Sequence, residues 1–191
     1  MKKSPGIDEL AGQVAALDLT TSRHADDAAG RLVLEEAVAA LRVGNYGVGA
    51  VIFDARGEVV LRAGSRVIRP QFRSDGHAEM MALGSLEADH PALVPSTLTL
   101  MVSLEPCPMC LARIKLSGIG RVRYLADDYD GGMVHLAGRL PPIFRLLHPD
   151  QDIRRADVDP ALRELALALF GCNLRALRRA VLARAKGQTT T

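Results

Sequence analysis

The chain has 191 residues, enough to bury one continuous core and too few for two full domains. Its 48% hydrophobic and 24% charged content is that of a folded globular protein, which excludes a disordered or fibrous chain, and a formal net charge of +2 creates no field that would by itself recruit nucleic acid or an anionic membrane. The longest run without a charged residue, Pro91 to Leu104, falls short of the roughly 18 residues a membrane span needs and is broken by Pro95, Ser96 and Thr97.

Residues 7–19 place Ile7, Leu10, Ala11, Val14, Leu17 and Leu19 at helical spacing, and 26–43 repeat the pattern with Ala29, Leu32, Val33, Ala37, Ala40 and Leu41. Two amphipathic helices are expected, the second stopped by Gly44. The apolar run Gly47–Phe53, the turn Asp54-Ala55-Arg56-Gly57 and the segment Val59–Ala63 read as a β-hairpin. After an arginine-containing loop over 66–76, His77 opens a helix that runs to Ala88. Thr97–Ser103 reads as a buried strand, Cys107–Leu116 as a helix and Arg121–Ala126 as another strand. Asp159-Pro160 introduces a periodic tail, 161–170, and a basic helix follows from Asn173 to about Ala185. The alternation of strand and helix through the middle predicts an α/β layered fold with parallel pairing in part of the sheet. The whole of 1–191 is read as one domain, with its core over about 26–150 and a helical C-terminal extension over about 157–186.

Chain geometry then brings chemistry together. A helix of about 14 residues from His77 descends roughly 21 Å, and a strand of about seven residues climbs roughly 23 Å back. The loop Leu104-Glu105-Pro106-Cys107 therefore returns to the sheet edge where His77 stands, and the next helix begins there. One imidazole and two thiolates, His77, Cys107 and Cys110, converge between two helix N-termini. Three protein ligands with a fourth position left open describe a catalytic zinc site. Cys107 and Cys110, one turn apart, can both reach one ion, and the positive end of the helix dipole favours their thiolates. Pro106 and Pro108 fix the loop and the first turn. Glu79, two residues after His77, stands too close for a fourth ligand and near enough to take a proton from water at the metal.

Other readings accompany these. Cys107-Pro108-Met109-Cys110 alone could be a redox dithiol or half of a structural zinc knuckle; His77-Ala78-Glu79 upstream favours catalysis. Glu105 either orients the cysteine loop or caps local N–H groups. Cys172 reads as a small buried apolar residue, and His24, His90, His135 and His148 as surface or packing residues. Arg175, Arg178, Arg179, Arg184 and Lys186 read as a solvated helix face rather than a nucleic-acid stripe. Gly131-Gly132-Met133 reads as a turn, which either serves the chain reversal alone or, following the strand after the zinc helix, also walls the pocket.

His77-Ala78-Glu79 followed by Pro106-Cys107-Pro108-Met109-Cys110 resembles the cytidine deaminase-like superfamily. Gly47-Val48-Gly49-Ala50-Val51, Ser103-Leu104-Glu105-Pro106 and Ile119-Gly120-Arg121-Val122 extend the likeness to the branch of tRNA adenosine, guanine and cytosine deaminases, over about 30–130. The resemblance implies a three-layer α/β/α sandwich around a five-stranded mixed sheet, bound Zn2+, paired subunits, and a backbone N–H of Cys107 that helps hold the reacting group. Where many relatives carry a base-contacting asparagine, this chain reads Gly64-Ser65-Arg66. Asn45 and Tyr46, just before the first strand, are taken as substitutes for it.

The function expected is zinc-dependent hydrolytic deamination of a small nucleobase, nucleoside or related amino-heterocycle, with ammonia released. A tRNA adenosine deaminase acting on a flipped base is the alternative, and a non-catalytic protein with a structural zinc the second. A homodimer is expected, with no membrane partner and nucleic acid not favoured. Three cysteines with one Cys-x-x-Cys pair do not make a secreted framework, and Asp8 and Glu9 interrupt what would be the apolar part of a signal peptide, so the expected compartment is the cytoplasm.

Overall fold

The computed structural model describes residues 5–187. Helices α1 (Ile7–Ala15) and α2 (Asp27–Arg42) precede the hairpin of β1 (Gly49–Phe53) and β2 (Val59–Gly64). There follow α3 (Ala78–Asp89), β3 (Thr99–Leu104), α4 (Pro108–Ser117) and β4 (Arg121–Ala126). A short helix α5 (Pro142–Leu146), a fifth strand β5 (Asp152–Arg155), α6 (Pro160–Gly171) and α7 (Leu174–Ala185) complete the chain. No described helix is long and apolar enough to cross a membrane.

The five strands lie in the order β2-β1-β3-β4-β5. β1 is antiparallel to both β2 and β3, whereas β3, β4 and β5 run parallel, so the sheet is mixed. Strand periodicity sorts side chains into two cores. Val51, Phe53, Met101 and Leu125 face α1, α2 and α6, while Ala50, Ile52, Leu100, Val102 and Val122 face α3 and α4. The result is a three-layer α/β/α sandwich. Gly49 is required where β1 crosses α2, because a Cβ there would run into the carbonyl oxygen of Val33.

The first helix is shorter than its apolar spacing predicts, ending at Ala15, and Leu17 and Leu19 pack against the core from the irregular segment that follows. β5 was not expected from sequence. Its segment, Asp-Ile-Arg-Arg, has one apolar residue, and its place is fixed instead by the buried guanidinium of Arg123 on β4, which donates to the Asp152 carboxylate at 2.6 Å and its carbonyl at 3.0 Å. Strand β5 lies beyond residue 150, and α6 contributes Leu162, Leu165, Ala166 and Leu169 to the core, so the segment expected as an extension is part of the packed body. α6 starts where Pro160 takes the first position and Asp159 caps it, accepting from the Ala161 N–H at 2.8 Å.

Candidate active site

His77 is the extended residue that caps α3, and Cys107 caps α4 in the same way, with Pro108 at the first helical position. Parallel β3 and β4 return both helix starts to one edge of the sheet. There Nδ1 of His77 lies 3.6 Å from Sγ of Cys107 and 3.6 Å from Sγ of Cys110. The three candidate ligand atoms all lie within 4.8 Å of one another. Zinc bonds of about 2.05 Å to nitrogen and 2.3 Å to sulfur, meeting at a tetrahedral angle, place those two atoms about 3.6 Å apart. The group is therefore spaced to hold one zinc ion.

Charge within the group fits the same use. The Cys107 thiol is lowered to about 4, first by the hydrogen bond from Cys110 and then, against burial, by His77. Cys110 is raised because its proton is the one donated to Cys107. A pair in which one sulfur is readily deprotonated suits cation binding. Glu79 is 4% exposed, and burial pushes its carboxyl up to about 7, with its own N–H and the Cys110 thiol opposing the rise. A carboxyl balanced near neutrality can both take and return a proton.

A cavity of about 330 Å³ opens over Glu79 and Cys107. Its apolar walls come from Val48, Val67, Leu104, Phe170 and Leu174, with Tyr46, Ser65 and Ser74 as polar points. Tyr46 is half-buried and its ring centroid lies 6.5 Å from that of Phe170. Asn45 does not reach the cavity. Its Oδ1 accepts the N–H groups of Ile68 at 2.8 Å and Arg69 at 2.9 Å, and its Nδ2 donates to the Arg69 carbonyl, so the amide is spent on holding the loop that follows β2. The adjacent Ser65, which sequence reasoning passed over as a lost asparagine, does line the cavity.

Glu105 holds the wall after β4. Its carboxylate accepts from the N–H of Asp128 at 3.0 Å and of His135 at 2.9 Å, and lies 2.8 Å from Nδ1 of His135. Burial would raise this carboxyl, but those donors outweigh it and hold it below its ordinary value. A Cβ on Gly132 would stand 2.5 Å from the same carboxylate, which is why a glycine sits in the turn. Gly131 reaches the cavity itself, as the sequence reading allowed. His135 is accordingly a structural partner of the site rather than a plain surface histidine.

The C-terminal helix corrects a second expectation. The basic residues of α7 were read as a solvated helix face, yet Leu174, Arg178 and Val181 line the cavity and Leu177 is buried. Arg184 lies 4.3 Å above the ring of Phe72, fastening the far end of α7 to the loop over 66–76. No local pattern could announce this, since it joins segments a hundred residues apart.

Residues 23–126 match the model of the cytidine and deoxycytidylate deaminase zinc-binding region. The chain belongs to this deaminase family. Over 99 residues it is 34% identical to the tRNA-specific adenosine deaminase of Bacillus subtilis, covering 52% of this chain and 60% of that protein. Over 102 residues it is 32% identical to a probable cytosine deaminase of Schizosaccharomyces pombe, covering 53% and 60%. A stretch of 89 residues is 40% identical to the tRNA(Ile)-lysidine synthase of Deinococcus radiodurans, 44% of this chain and 14% of that one. The matched segment therefore spans less than two thirds of each of these relatives. Among solved structures, guanine deaminase from Nitrosomonas europaea superposes with a TM-score of 0.59 at 24% identity over 82% of this chain and 86% of its own, a likeness of fold. A structure from work on A-to-I editing by tRNA:A34 deaminases gives 0.56 at 27% identity, covering 72% and 95%. The deaminase domain's metal is zinc, and the His77, Cys107 and Cys110 group is the one spaced for it.

Proposed function

We infer that this deaminase hydrolyses the exocyclic amine of a free nucleobase, nucleoside or related amino-heterocycle and releases ammonia. The observation that carries the reading is the buried carboxyl of Glu79 beside the His77, Cys107 and Cys110 group, on the wall of a cavity at the small end of the range for ligand sites. His77, Cys107 and Cys110 would hold the zinc, whose Lewis acidity would make water a nucleophile at neutral pH. Glu79 takes a proton from that water at its carboxylate, passes it to the ring nitrogen, and delivers the second proton to the departing amine. Water thus adds its oxygen to the ring carbon, the C–N bond breaks, one of its protons leaves in ammonia and the other stays on the ring nitrogen. Cys107 lines the cavity, and its backbone N–H is assigned to orient the reacting group. Tyr46 and Ser65 supply the polar contacts that position the ring, and Asn45 acts through the loop it holds.

A second reading, a base presented by tRNA, is supported by the activity named for the Bacillus subtilis relative. It is disfavoured by α7, whose residues occupy part of the cavity wall. Exposed apolar side chains on α4 and α5 support assembly as a homodimer, and free Cys107 and Cys110 suit a reducing compartment such as the cytoplasm. The test is an ammonia-release screen of the zinc-loaded protein across cytosine, guanine, adenine, their nucleosides and triazine-type analogues. Turnover of at least one, lost in Glu79→Gln, is expected. Inosine formed in tRNA with no ammonia from any small compound would replace this reading with the second.

A further inference from the structure

Arg178 projects from the second turn of α7 to line the substrate cavity, and it is the only guanidinium or ammonium group among the described residues that do so. Among the described residues no carboxylate lies within ion-pair distance of it. The cavity's own acids are otherwise engaged. Glu105 is held by the Asp128 and His135 N–H groups, Asp128 accepts the N–H groups of Asp130 at 3.2 Å and Gly131 at 3.0 Å, and Glu79 is buried at the metal group. The helix that carries Arg178 is held in place on both sides of it, by buried Leu177 and by Arg184 stacked on Phe72.

The charge of Arg178 is felt inside the site. Tyr46, half-buried on the cavity wall, is raised by burial and pulled partly back by Arg178. Arg178 is itself exposed at the cavity wall, and a guanidinium beside aromatic Tyr46 and Phe170 with no ion-pair partner among the described residues is suited to a planar substrate that brings an anion with it.

We propose that Arg178 is a specificity-determining residue that pairs with an anionic oxygen group, phosphate or carboxylate, borne by the heterocyclic substrate on the side remote from its amine. The assignment rests on the deaminase reading above and narrows its substrate class to anionic amino-heterocycles. Neutral bases and nucleosides bind the same ring contacts without this pair.

Binding of defined probes tests the residue separately from the chemistry. Calorimetry on the zinc-loaded protein compares cytosine, cytidine and cytidine 5′-monophosphate, the corresponding guanine series, and cytosine-5-carboxylate. The expected result is that a phosphate or the carboxylate tightens binding about ten- to a hundredfold over its neutral parent, and the arm in which this happens identifies the source of the anion. Arg178→Ala abolishes that advantage and Arg178→Lys keeps part of it, while Arg175→Ala, an exposed neighbour that does not line the cavity, leaves it intact; zinc content is the same in all four proteins. Equal affinity for charged and neutral probes in the parent, or an advantage that survives in Arg178→Ala, overturns the proposal. Ammonia release measured alongside keeps the two readings apart: anion preference without any turnover sinks the deaminase assignment alone, and turnover without anion preference sinks the Arg178 assignment alone.

Discussion

Glu79 is a carboxyl with almost no water around it, and its use depends on that. Replacing it by Gln keeps the shape and removes the proton carrier, so turnover falls by about 100-fold or more while zinc content and the thermal transition stay at the parent's values. Retained turnover would show that protons travel another way. Cys107→Ala removes a ligand atom, and elemental analysis is expected to show a drop from about one zinc per chain to near none. The convergence of these side chains was legible because it is written at fixed spacing: His-x-Glu at a helix start, Cys-x-x-Cys one turn apart at the next, and a helix and strand of nearly equal length between. Asn45 was misread for the opposite reason. A polar residue before a strand looks the same in sequence whether it meets a ligand or satisfies three backbone groups of a distant loop. Asn45→Ala leaves those groups unpaired and lowers stability by about 2 to 3 kcal/mol, read as a lower urea midpoint at unchanged slope.

Among the elements, those with a clean period of their own could be read in advance, including the hairpin, α3, β3, α4 and β4. β5 could not, because a four-residue edge with one apolar side chain is defined by Arg123 and its neighbour strand. The segment after β5 is tied to the approach to α2 by His24, whose Nδ1 lies 2.8 Å from the Asp157 carboxylate. That hydrogen bond raises His24 and lowers Asp157. A raised histidine stabilises fully below its unfolded value of roughly 6.5 and loses the effect as pH climbs through its folded value. A lowered aspartate stabilises above its unfolded value of roughly 3.9 and loses the effect as pH falls through its folded value. The melting-temperature gap between parent and His24→Asn is therefore expected to be widest between about pH 4 and 6.5, to close above that window, and to shrink with salt because the pair is exposed. A gap that is flat with pH would assign His24 to packing.

At the scale of the molecule, the three layers leave some apolar surface uncovered. Leu116 on α4 is 60% exposed, and Ile143 and Leu146 on α5 are 56% and 72% exposed, on two helices that pack together. Light scattering at micromolar concentration is expected to give a dimer, with Leu146→Glu shifting it toward monomer while zinc is retained. A parent that is monomeric throughout would leave those side chains unexplained. The parts invisible in the sequence are of this long-range kind: which apolar side chains the fold leaves uncovered, and which distant helix walls the cavity.

The stretch shared with the family, 23–126, carries the metal group and Glu79, whereas α7 lies wholly outside it and still forms part of the cavity wall. The candidate ligand group and this part of the cavity wall therefore lie on separate pieces of chain. If Arg178 selects the substrate as proposed, a library randomised at Leu174, Arg178 and Val181 is expected to change what is recognised while zinc content stays at the parent's value, which would give directed evolution a place to work apart from the ligand set.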